Sequence, residues 1–60
     1  MSNQMQTNTN QLRYDTAYKQ GKRDALQGKP CAKPFGDTAR AGYSDGYHDG
    51  LVESLAQLTE

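Results

Sequence analysis

The sequence predicts an all-α fold: a two-helix antiparallel hairpin with a Pro/Gly connector and a disordered N-terminal tail. Three observations carry that prediction. Glycine and tyrosine recur at helical spacing in two segments, the segments are near copies of one another, and two prolines lie between them. The copies are YKQGKRDAL (Tyr18 to Leu26) and YSDGYHDGL (Tyr43 to Leu51), which share Y-x-x-G-x-x-D-[AG]-L at an offset of 25 residues. The period-two alternation that a strand hairpin needs is absent from both.

Taken in order, residues 1–10 read MSNQMQTNTN, polar throughout and with nothing to bury, which predicts a disordered tail. The segment has neither the basic start nor the apolar centre of a signal peptide. Residues 11–28 follow as the first helix. On a wheel of 100° per residue, Tyr14, Ala17, Tyr18, Gly21, Ala25 and Gly28 form one narrow stripe, with Lys19 and Arg23 opposite. Thr9 or Asn10 is its expected N-cap, and Gly28 followed by Pro30 is its expected stop.

Residues 29–37 form the connector, held extended before Pro30 and Pro34. Phe35 is its one large apolar group and is expected to plug the end of the helix interface. The second helix is expected over residues 38–58, with Asp37 or Thr38 as N-cap. Along it Gly42, Gly46 and Gly50 line up, with Tyr43, Tyr47, Leu51, Leu55 and Leu58 beside them. Three glycines inside a helix cost about 1 kcal/mol each relative to alanine. Close approach of a second helix to a groove without side chains would offset that cost. The expected seam is therefore Tyr14, Tyr18, Gly21, Tyr43, Gly46, Tyr47 and Gly50.

Sixty residues make one small domain. Five leucines, one valine, one phenylalanine and four tyrosines are a thin apolar supply, so a homodimer or a partner is expected to add buried area. A single cysteine, Cys31, excludes an internal disulfide, and no run approaches the roughly 18 apolar residues of a membrane span. Both point to the cytoplasm. Net charge is zero but segregated. All seven basic residues lie between 13 and 40 with only Asp15, Asp24 and Asp37 for company, a local balance of +4. Asp45, Asp49, Glu53 and Glu60 follow with no Lys or Arg among them. One electropositive and one electronegative face are implied.

The motifs resemble those of the ribosome modulation factor family, which has phage- and plasmid-borne members. That family's first helix reads A-Y-x-x-G-x-x-A-x-x-G, matched here by Ala17, Tyr18, Gly21, Ala25 (shifted by one) and Gly28. Lys33, Pro34 and Phe35 stand at its Pro-aromatic linker. Arg40, Tyr43, Gly46 and Tyr47 follow its R-x-x-W-x-x-G-W, with tyrosines at the tryptophan positions. The likeness covers about residues 14–51. It implies two helices joined by a linker that bind ribosomal RNA on the small subunit and regulate translation.

Lys19, Arg23, Lys29, Lys33 and Arg40 are the candidate contacts to RNA phosphates or to a partner, set against the plainer reading of a solvated face. Arg40 could grip a phosphate or carboxylate in bidentate fashion, or lay its stem over Phe35. Asp45, His48 and Asp49 share one helix face and offer an alternative surface for a basic partner. Two carboxylates and one imidazole make a poor zinc site, so no metal is expected. No phosphate-cradling loop is present, and Cys31 has no base and oxyanion site to make it a nucleophile. The expectation is a non-enzymatic binding protein without a cofactor. The alternative to a ribosomal target is a phage or mobile-element module that binds and inhibits a host protein.

Overall fold

The computed structural model describes the backbone of residues 2–58 and the side chains of residues 9–58. It contains two helices, α1 (Ser2–Leu26) and α2 (Asp37–Leu58), and among the described residues no strand. The all-α two-helix fold is as the sequence reads. Of the tail expected over residues 1–10, residues 1–8 lie outside the residues described in full. Thr9 and Asn10 are helical, so they neither cap α1 nor belong to a tail.

Helix α1 stops at Leu26, two residues short of the expected end, and it stops on Gly28 as anticipated. The Gly28 N–H donates to the Ala25 carbonyl at 3.1 Å and the Lys29 N–H to the Asp24 carbonyl at 2.8 Å. This is a Schellman cap, and the glycine sits at the left-handed φ of 76° that the motif requires. Gly28 therefore ends the helix and is not part of the seam stripe. At the other end of the connector, the Gly36 carbonyl accepts the first helical bond of α2, from Arg40 N–H at 2.9 Å. Gly36 is the N-cap, with φ of 104°, and Asp37 becomes the first helical residue. Asp37 still favours the helix there, through its charge beside the N-terminal dipole.

The helices pack along the glycine groove, and the pairing fixes their sense. A Cβ built on Gly42 would strike the Tyr14 carbonyl, one on Gly46 the Tyr18 carbonyl, and one on Gly50 would come within 2.7 Å of the Lys22 carbonyl. Each step of four residues along α2 is matched by a step of four along α1 in the same direction. The two helices run parallel. The antiparallel arrangement expected from the sequence is corrected here; it would have set Gly42 against Lys22 and Gly50 against Tyr14.

The connector makes parallel packing possible. An antiparallel helix pair needs only about 2–5 linking residues, whereas residues 27–36 form a longer stretch that can span about 33 Å when extended. It runs back beside α1, so that Pro34 and Ala39 share one wall with Leu12, Arg13, Thr16 and Ala17. Along the way it crosses Tyr43, whose hydroxyl accepts the Ala32 N–H at 3.2 Å.

The core is small: Ala17, Ala25 and Tyr43 are its buried apolar residues, with Gly21, Gly42, Gly46 and Gly50 buried between the helices. Leu51, Leu55 and Leu58, expected in the apolar arc, are 43%, 62% and 79% exposed. Gly50 already faces the last turns of α1, so the end of α2 projects past its partner. Phe35 is fully exposed and plugs nothing.

Candidate functional site

The repeat seen in the sequence becomes a reciprocal set of contacts. The Tyr18 hydroxyl donates to Asp49, and the Tyr43 hydroxyl donates to Asp24 at 2.6 Å. Gly46 lies against the Tyr18 carbonyl, and Gly21 against the Tyr43 carbonyl. Each copy's tyrosine thus reaches the other copy's aspartate, while each copy's glycine admits the other's backbone. Because the paired residues advance together, the approximate two-fold axis runs along the helices. The glycine hydrogens take the place of Cβ and point at those carbonyls, the geometry of Cα–H···O=C contacts at close helix interfaces.

Polar rungs flank the groove. On one edge Tyr14 donates to Asp45, Tyr18 to Asp49, and Lys22 pairs with Glu53 at 3.4 Å. On the other edge Tyr43 reaches Asp24 and the Tyr47 hydroxyl donates to the Lys29 carbonyl, which ties down the connector. The rings stack within each helix, Tyr14 on Tyr18 with centroids 6.4 Å apart and Tyr43 on Tyr47 at 5.9 Å. The Asp45 hydrogen bond, with partial burial behind it, pushes the Tyr14 phenol up to about 12. Asp49 raises Tyr18 and Asp24 raises Tyr43 in the same way.

The seven expected seam residues therefore meet at the interface, joined by Ala17 and Ala25 of the predicted stripe and Gly42 of the predicted glycine line, and the structure adds Asp24. Asp24 was legible as the aspartate shared by the two copies. Asp45 and Asp49, two thirds of the alternative acidic surface, have carboxylate oxygens turned to tyrosine hydroxyls. His48 is well exposed, its Nδ1 at 3.9 Å from Asp49. Among the described residues no cluster of His, Cys, Asp or Glu is arranged to hold a metal ion.

The candidate cations stand elsewhere. Lys19 and Arg23 line an open groove on α1 with Tyr18, Lys22, Leu26 and Gln27. Lys29 and Lys33 are exposed on the connector, and Arg40 is exposed in the first turn of α2. Phe35 is fully exposed, so the Arg40 stem does not cover it. Among the described residues none of these five cations forms an ion pair; Lys22 does. Among the described residues no helix is long and apolar enough to cross a membrane. No family model, curated protein or solved structure matches the chain.

Proposed function

We propose that this chain is a small non-enzymatic binding protein that resembles ribosome modulation factor, contacts ribosomal RNA of the small subunit in the cytoplasm and regulates translation. One observation carries the reading: Lys19, Arg23, Lys29, Lys33 and Arg40 are all exposed and unpaired among the described residues, while Asp24, Asp45, Asp49 and Glu53, the last three also exposed, each accept a hydrogen bond or ion pair from α1 or α2. Among the described residues these five exposed cations stand beside one exposed acid without a side-chain partner, Asp37, so the side chains free to meet a phosphate are mostly cationic. At about 0.7 to 0.9 per phosphate contact, five such contacts cost about 100- to 500-fold in affinity between 50 and 200 mM salt.

Sedimentation of cell lysate at both salt concentrations tests this. The protein should travel with the small subunit at low salt and return to the top of the gradient at high salt. Absence from the small-subunit fractions at low salt rejects the ribosomal target.

A second reading, a phage or mobile-element module that inhibits a host protein, is favoured by the projecting end of α2. Leu51, Val52, Leu55 and Leu58 are open there. The same stripe would serve a homodimer. Retention of a host protein by the wild type and its loss on Leu55→Ser would select this reading; equal capture by both would exclude the stripe.

A further inference from the structure

Among the described residues Phe35 is the most exposed large apolar side chain, at 102% of its reference area. Its backbone is far from loose. Pro30 and Pro34 restrict the connector, Tyr47 holds it at Lys29, Tyr43 holds it at Ala32, and Gly36 caps α2 immediately after the phenylalanine. A ring kept in water on a pinned segment is available for binding at little ordering cost.

Its surroundings say what it would bind. Lys29 and Lys33 precede it on the same connector and Arg40 follows one turn into α2, all exposed. Asp37 is the only acid between residues 29 and 40. Exposed cations on the same stretch of chain as an aromatic ring with both faces open form the combination that holds an unpaired nucleotide: charges on the backbone, ring on the base. A base paired within a duplex is already stacked on both faces and offers the ring nothing.

We infer that Phe35 is a base-stacking residue for unpaired RNA, with Lys29, Lys33 and Arg40 holding the flanking phosphates. This rests on the RNA-binding reading above and narrows it to single-stranded segments. The connector, rather than the helix faces, is the element that reads the RNA.

The test uses the full chain and fluorescence anisotropy with a labelled unpaired RNA oligonucleotide, the same sequence as a duplex, and poly-glutamate as competitor, each across a salt series. Phe35→Ala should weaken unpaired RNA binding by about five- to 150-fold, since stacking on an aromatic ring contributes about 1–3 kcal/mol per base. The salt slope should stay unchanged, because no charge is lost. Lys33→Ala should instead lower the slope by about 0.7. Phe35→Trp should retain binding, and its fluorescence should fall as RNA is added. The Phe35 side chain is fully exposed, so these variants keep the fold, as a far-UV spectrum would show.

If Phe35→Ala binds as the wild type does while Lys33→Ala weakens, the stacking role is overturned and RNA binding stands. If the wild type shows no salt-sensitive RNA binding, both fall. Poly-glutamate bound as tightly as RNA, with the same dependence on Phe35, would assign the patch to an acidic protein and overturn the stacking role.

Discussion

The middle of α2, Gly42 to Gly50, has two apolar residues in nine and its last two turns, Leu51 to Leu58, have five in eight, yet it is the poorer stretch that is buried. From Gly42 to Gly50 the helix lies backbone to backbone against α1, and its four facing residues are buried. From Leu51 to Leu58 every leucine is exposed. Glycine, the poorest helix former after proline, marks the packed half, and leucine, one of the best, marks the open half. Side-chain size explains the inversion. Only hydrogen fits between the two backbones, whereas leucines at the end of α2 have no opposing helix to cover them.

The largest effect should come from filling the groove. Gly46→Leu would place a bulky side chain in the Tyr18 backbone, and it should abolish cooperative thermal unfolding by circular dichroism. Gly46→Ala is more discriminating. Alanine favours an isolated helix by about 1 kcal/mol, yet its Cβ would collide with the Tyr18 carbonyl, a backbone atom that yields poorly. Overpacking of this kind costs about 1–3 kcal/mol, so the melting temperature should fall. A rise would place Gly46 in open space.

High pH should strike the same half next. Tyr14, Tyr18 and Tyr43 all hold their protons more tightly when folded than the ordinary value of 10.0, Tyr14 up to about 12. The stabilisation is complete below pH 10, where the unfolded phenols are also protonated. It drains away as pH climbs from 10 towards 12, because the unfolded chain releases these protons first. A pH titration of the melting temperature should be flat below about 9 with respect to these groups and fall steeply above 10. Phenylalanine at positions 14 and 18 should blunt the fall.

A smaller loss is expected from Tyr43→Phe, about 1–3 kcal/mol in denaturant titration, because the Asp24 carboxylate and the Ala32 N–H each lose a partner. Smallest of all, Leu58→Ser should change monomer stability by less than about 0.5 kcal/mol. A melting temperature that depends on protein concentration, and loses that dependence on Leu58→Ser, would show that the open half is closed by a second copy.

The seam was legible because residue spacing is a property of each helix alone. Tyr14, Tyr18, Gly21, Tyr43, Gly46, Tyr47 and Gly50 follow from periodicity, and α2 begins one residue before its expected start. Helix direction is different, since a two-sided pattern of tyrosine and glycine serves either sense. The signal that decides it was present in the connector, which is longer than an antiparallel turn needs. Asp45 and Asp49 could not be read as hydrogen-bond acceptors until their distance from Tyr14 and Tyr18, 31 residues away in each case, was closed by the parallel register. Phe35 was misplaced for a related reason: an end plug suits a short turn, and this connector runs along the side.

The parallel glycine seam is tested most directly by proton distances between glycine and α1 backbones in a two-dimensional NMR spectrum. Cross-peaks from the Gly42 Hα protons to Tyr14 Hα, and from those of Gly50 to Lys22 Hα, are the expected result. Cross-peaks joining Gly42 to Lys22 and Gly50 to Tyr14 would mean that the helices oppose one another, and would contradict the packing from which the rest follows.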